Sequence, residues 1–387
     1  MTSVEKYNWK ANIKINIILL KLMGLWPKGD DIYQPGPYML YSRIIVFLCV
    51  ACHILPQAAN IYFVRNDLTS VVGIVYVIMI EMMAAIKVYF IIQKMKTLKD
   101  HVIVLKSDWF QPKNSTQTLI IGRNVAFMKL IFKMFFAVCF SGNAFYMIYP
   151  LLDDSVEGKR LPLVAWYPYD VNVWPFYQIT YVHQVLSTCY LSMVHLNIDI
   201  LIAAFNVYAG CQFQMLCDDL RNFVSLERDV NKNLVACIVQ HKRILTFVEG
   251  CNQFFSWIIF WHLILSGVCI GITMFQLTLV VPFSSEFYSL LTYGVAITIQ
   301  IFMYCWFGNE VEVKSNLLAY AVFESDWTDL PENVKTCLLF FTMNVLKPVK
   351  ITTAFGVLQL SVDTFVKILK TAWSYYALLY QLSSPKL

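Results

Sequence analysis

Long unbroken apolar runs constrain this chain more than any other feature. A membrane-crossing helix needs about 20 mostly apolar residues. Seven stretches qualify: 38–63, 68–93, 126–150, 175–208, 252–282, 286–308 and 355–383. Within lipid, each backbone N–H and C=O must be satisfied internally, which makes runs of this length helical. The expected fold class is therefore all-α, a seven-transmembrane-helix membrane protein. Hydrophobic residues are 58% of the 387 and charged residues 14%, against roughly 45–50% and about 25% in soluble domains. The fourth run exceeds what a bilayer requires, so one of its ends should project well beyond the lipid. Residues 210–251, with Asp218, Asp219, Arg221, Arg228, Lys242 and Arg243, and residues 309–350 read as a solvated helical platform.

Orientation follows from lysine and arginine. The N-terminal segment and the loops after spans two, four and six hold 20 of the 30 Lys and Arg residues, and the opposite loops and C-terminus hold 4. The N-terminus is expected to be cytoplasmic and, with seven spans, the C-terminus extracellular. That is opposite to a G-protein-coupled receptor. The sequon Asn114-Ser115-Thr116 then lies inside and should stay unglycosylated. Lysines scattered through residues 1–37 give no signal-peptide order, and Ile13–Trp26 could lie along the membrane surface as an amphipathic helix. The net charge of +5 is dispersed, so nothing suggests nucleic-acid binding.

None of the eleven cysteines falls in an outer loop, so no extracellular disulfide is expected. Cys49 and Cys52 spell C-x-x-C inside an apolar helix, where small buried hydrophobes are expected rather than a metal or redox site. No phosphate loop, nucleophile motif or paired histidine spacing appears, so no catalytic residue, metal site or cofactor is assigned and the chain is not read as an enzyme.

Ionisable and polar groups inside a membrane are costly and tend to be functional or paired. In the last span Asp363, Lys367, Lys370, Thr371, Ser374, Leu378 and Gln381 recur every three or four residues, on one face. Phe365, Ile368, Leu369 and Tyr376 occupy the other. The wet stripe either lines water or hydrogen-bonds to neighbouring helices. Asp363 and Lys367 are spaced to pair. Glu81 needs a partner from another helix, while Lys87 is expected to snorkel to the inner interface. His195, Asn197 and Asp199 read as a span leaving the lipid, with a proton relay or metal site as the alternative. Aromatic and small residues in the outer halves of four spans could enclose a small apolar ligand: Tyr76 and Ile80; Cys139, Gly142 and Tyr146; Tyr177, Tyr181 and Gln184; Phe287, Tyr288 and Leu291. Ordinary packing is the alternative for each.

The segment "YCWFGNEVEVKSNLLAYAVFESDWTDL" (304–330), followed by "KPVKITTAFGVLQLSVDTFVKILKTAWSYYALLYQL" (347–382), resembles the insect odorant receptors. The cues are an aromatic-Gly-Asn after span six, Ala321-x-x-x-Ser325-x-Trp327, Ser361-x-x-Thr364-Phe365 and a closing Ser374-Tyr375…Gln381-Leu382. The resemblance implies a subunit of a tetrameric, ligand-gated, non-selective cation channel. It places Leu378 at a hydrophobic gate, with Gln381 and Leu382 completing the constriction and Ser374 below it. Odorants would bind among spans two to six. The division implied is 1–37, a cytoplasmic or interfacial segment; 38–308, spans one to six with cytoplasmic extensions; 309–354, a cytoplasmic anchor; and 355–387, the pore-lining helix and a short extracellular tail. The compact loop after span four resembles a ligand-tuning subunit rather than the longer co-receptor. The partners implied are a small volatile odorant, the co-receptor in a heterotetramer, membrane lipid and permeating cations, in the plasma membrane of sensory-neuron dendrites. The related gustatory receptors end in Thr-Tyr, five apolar residues and Gln-Phe, so a gustatory channel is the nearest alternative. A G-protein-coupled receptor is the alternative from another class.

Overall fold

The apolar runs form helices, and most of those helices continue past the lipid-length stretch that marks them. A computed structural model describes residues 6–28, 36–152, 161–224 and 229–383. Among these are eleven α-helices and a single isolated β-bridge, Thr352 to Gln359. Six segments are long and apolar enough to cross a membrane. The first joins α2 (Pro37–Val46) to α3 (Cys52–Val64) through a π-helical turn at Phe47–Ala51. The others are α4 (Leu68–Gln93), α6 (Ser115–Leu152), α7 (Phe176–Asn222), α8 (Val230–Leu279) and α9 (Ser285–Phe323). The last helix, α11 (Val362–Ser383), falls outside that set. Asp363, Lys367 and Lys370 make its first half too polar for a lipid-surrounded span.

α7 and α8 have 47 and 50 residues, or about 70 Å each at 1.5 Å per residue, more than twice the roughly 30 Å hydrocarbon core. Most of the charged 210–251 region is therefore the end of α7 and the start of α8. α7 is the axis of the fold. From Leu196 to Phe213 every residue is buried, enclosed by α6, α8 and α9.

Polar side chains lock this platform together. Lys113 reaches Asp219 at 2.5 Å and Gln240 at 3.1 Å. Lys314 reaches Glu310 at 3.2 Å and Asn124 at 2.7 Å. Asn114 caps α6 by accepting from the Gln117 backbone N–H at 2.7 Å, and its amide donates to Asp218 at 2.8 Å. The sequon side chain is thus already engaged.

The N-terminal α1 (Lys14–Leu22) is amphipathic. Ile17 and Leu20 are buried on its inner face, while Ile15, Ile18 and Leu22 are exposed. Trp9 packs edge-on against Phe110 and Tyr208, pinning the segment to the bundle. Farther along, α10 (Glu332–Val345) covers α8 and α9 with Val334, Leu338 and Phe341 and leaves Leu339, Phe340 and Met343 exposed.

A hook at 351–360 turns the chain into α11. It is closed by Thr353 N–H to Leu358 O and by Leu360 N–H to Ile351 O, both 2.8 Å. Gly308 of the aromatic-Gly-Asn motif lets the hook approach α9. A Cβ there would lie 2.4 Å from the Leu360 Cβ, closer than any two carbons can pack.

Candidate functional site

α4, α6, α7 and α9 diverge enough to leave a cavity of about 200 Å³ between them. Drug-sized sites run to roughly 300–1,000 Å³, so this one suits a smaller molecule. Tyr76, Ile80, Cys139 and Gly142 line it, and a Cβ at Gly142 would lie 3.3 Å from Thr292 of α9, so the glycine brings those walls together. Its aromatic surface includes Phe135, Tyr76 and Tyr293, the two tyrosines meeting edge-to-face at 5.3 Å. Tyr76 accepts a hydrogen bond from Thr273 of α8 at 2.9 Å. Leu163, from the chain between α6 and α7, closes one side.

The other residues read from the sequence as lining, where their side chains are described, lie elsewhere. Gln184 is buried and clamps Leu163: its carbonyl accepts from Leu163 N–H at 3.0 Å and its amide donates to Leu163 O at 3.1 Å. It also donates to the Tyr167 hydroxyl at 3.1 Å. Burial pushes the Tyr167 phenol above its ordinary pKa, against the opposing effect of that hydrogen bond. Tyr177 and Tyr181 contact each other, centroids 6.0 Å apart, toward the start of α7 and before Thr188, the first α7 residue of the wall. Tyr288 and Leu291 are 45% and 42% exposed. The wall of α9 is instead Ser289, Leu290, Thr292, Tyr293, Ala296, Ile297 and Gln300. A one-residue step turns a helix by about 100°, so an aromatic chosen one position off faces outward. The 3.6-residue spacing of 289, 293, 296, 297 and 300 was the available signal. Tyr146 and Leu382 lie outside the residues whose side chains are described, and Phe287 is partly exposed beyond the cavity.

Ionic groups pair across helices near the cavity. Glu81 lines it and accepts from His53 Nε2 at 2.9 Å and Gln57 Nε2 at 2.8 Å, both on α3. Lys87 does not snorkel. It is 1% exposed and donates to Asp199 of α7, also 1% exposed. Burying an ammonium unpaired would cost several kcal/mol, and a carboxylate brought in by a neighbouring helix offsets part of that cost. Asp199 also accepts from Tyr304 and from Gln300, and Gln300 is a wall residue. The cavity wall and the buried pair therefore share a side chain. His195 lines the cavity and contacts His262 of α8, which in turn meets the Tyr304 ring at 5.0 Å. The acid and imidazole groups on α7 thus face the protein interior rather than an exit from the lipid. Among the described residues, no three His, Cys, Asp or Glu side chains cluster as metal ligands.

α11 presents two unlike faces. Phe365, Ile368 and Leu369 pack on the core, and Ala372 is fully buried. Gly271 of α8 makes this seat possible, since a Cβ there would lie 2.9 Å from the Tyr375 Cβ and 3.0 Å from the Ala372 carbonyl. The opposite face carries Lys367, Lys370, Thr371, Ser374, Leu378 and Gln381, all exposed in the single chain. Lys367 pairs with Asp363 at 2.6 Å, and Leu378 is 55% exposed.

Comparison with known proteins adds an independent line. Residues 67–373 match the model of the 7tm Odorant receptor family. The chain is 21% identical to Odorant receptor Or1 of Anopheles gambiae, covering 98% of this chain and 97% of that protein. It is 28% identical to Odorant receptor 22b of Drosophila melanogaster over 62% of this chain and 63% of that one. Among solved structures, the insect olfactory receptor OR5 from Machilis hrabei in complex with eugenol superposes with a TM-score of 0.85 at 15% identity. That match covers 97% of this chain and 99% of the other, and it establishes a shared all-helical fold.

Proposed function

The chain belongs to the 7tm odorant receptor family, and from that premise we propose that it is a subunit of an odorant-gated, non-selective cation channel. It is a multi-pass membrane receptor and not an enzyme. On our reading the N-terminus is cytoplasmic, α11 is a seventh span ending outside, and four subunits surround one axis. The carrying observation is α11 itself. One face is seated on α8 and the reverse, from Lys367 to Gln381, has no cover among the described residues. A helix with a greasy back and a polar front suits a water-filled path, whereas lipid around its whole circumference would leave Lys370 and Gln381 costly.

Leu378 is then the gate, closing the path by dewetting, with Ser374, Gln381 and Leu382 beside it. The exposed Leu339, Phe340 and Met343 of α10, within the 309–354 anchor, supply contacts between subunits. As a ligand-tuning subunit the chain works with a co-receptor in a heterotetramer, in the dendritic membrane of sensory neurons. A volatile molecule occupies the cavity walled by Tyr76, Ile80, Cys139 and Gly142. Its occupancy favours the open state only through tighter binding to that state.

Electrical recording tests this in cells expressing the chain with and without a co-receptor, against an odour panel. The proposal expects odour-evoked cation currents that need both chains, and a raised basal current for Leu378→Ala. Odour responses carried by a G-protein cascade without such currents would overturn it.

A further inference from the structure

The polar groups at the cavity wall are not neutral about what they bind. Among the described residues, neither lysine nor arginine lines the cavity. Glu81 supplies carboxylate oxygens, each of which already accepts one hydrogen bond and retains lone pairs for another. Ser192 spends its proton on Asn143 Oδ1 at 2.8 Å, and Thr292 spends its own on the Tyr288 carbonyl at 2.8 Å. Toward the cavity these two hydroxyls can only accept. Tyr76, Thr188, Ser289 and Tyr293 carry hydroxyls that can donate or accept, and Asn143, His195 and Gln300 carry both donor and acceptor atoms, so none of these discriminates; Glu81 alone is acceptor-only by chemistry.

We propose that the cavity selects small, largely apolar molecules carrying one hydrogen-bond donor, a hydroxyl or an ammonium, and that Glu81 reads that donor. The inference deepens the odorant-binding reading and rests on it. An ether or ester oxygen has no proton to give Glu81, so it gains nothing from that carboxylate. A hydroxyl or ammonium of the same skeleton gives Glu81 a proton to accept. α3 fixes the carboxylate through His53 and Gln57, so Glu81 is held ready rather than ordered at the moment of binding.

The test uses isomeric pairs that differ only in the donor: n-octanol with heptyl methyl ether, and 4-ethylphenol with 4-methylanisole, plus n-octylamine as the charged arm. Binding is read on the purified full-length chain in detergent as ligand-dependent thermal stabilisation, and currents are recorded in parallel. The donor-bearing member of a pair should bind roughly tenfold or more tightly, as expected for one hydrogen bond to a charged acceptor. Glu81→Gln should bring each pair to within about threefold, with ether binding retained or strengthened because the new amide can donate to it, which also shows that the variant is folded. Equal or stronger ether binding by the wild type, an unchanged preference in Glu81→Gln, or failure of every donor-bearing compound to bind would overturn the inference. Donor-selective binding without any current would leave this assignment standing and count against the channel.

Discussion

Removing Asp199 should be among the most damaging single changes in the bundle, and the structure says why its partner is less sensitive. Lys87 and Asp199 are each 1% exposed. Asp199→Asn preserves shape but takes the counter-charge from a buried ammonium whose other partner is the Tyr304 hydroxyl at 3.3 Å. Breaking one side of a buried pair costs about 3–5 kcal/mol, a large share of a typical total of about 5–15 kcal/mol. Lys87→Met should cost less, because Asp199 still accepts from Tyr304 and Gln300. In the double variant no unpaired charge remains, and stability should return to within about 1–2 kcal/mol of wild type. The assay is the thermal midpoint of the detergent-solubilised chain by fluorescence-detected size exclusion. Asp199→Asn should fall by on the order of 5–10 °C, Lys87→Met by less, and the double variant should recover most of the loss. Two additive losses, with the double variant worst, would refute the reasoning.

Four other outcomes follow. Gly271→Ala should lower the thermal midpoint by overpacking Tyr375 and the Ala372 carbonyl, at a cost of about 1–3 kcal/mol, while Gly122→Ala, where nothing lies within 4 Å, should not. Gln184→Leu should leave the Leu163 backbone groups unpaired, costing about 1–3 kcal/mol, and speed ligand release measured by washout. The Asn114 sequon should show no mobility shift after glycosidase treatment, because the proposed orientation keeps it on the cytoplasmic side. Hydrogen bonding and charge from Lys6 hold the exposed Asp108 carboxyl below its ordinary range. The N-terminal tether should therefore be complete above about pH 4 and lost as pH falls through the lowered pKa, seen as faster cleavage of residues before Trp9. High salt should weaken the same tether at neutral pH.

The spans were legible because twenty apolar residues admit few other structures. Their extents were not. α7 runs to Asn222 and α8 begins at Val230, and Gly210 and Gly250, at the ends of the apolar stretches, lie inside these helices rather than capping them, so composition changes while the helix does not. The two faces of α11 could be read from spacing because Asp363, Lys367, Lys370, Ser374 and Gln381 all belong to one helix. Lys87 and Asp199 are 112 residues apart, and no local period joins them. Read alone, Lys87 looked like a snorkelling residue. Glu81 did announce its need for a partner, but not that His53 and Gln57 would meet it. On α9, residue types suggested Tyr288 and Leu291, whereas helix phase selects Tyr293 and Gln300. Aromatics mark both a lipid face and a cavity wall, so residue type alone does not tell the two apart.

The most direct test of the channel reading is thiol accessibility along α11. Ser374→Cys, Leu378→Cys and Gln381→Cys, expressed with a co-receptor, should react with a charged methanethiosulfonate reagent faster during odour application and change the current. Cysteines placed at Ile368 and Ala372, on the face seated against α8, should not. If 374, 378 and 381 stay inert with odour present, or react no differently from 368 and 372, then α11 does not border the ion path.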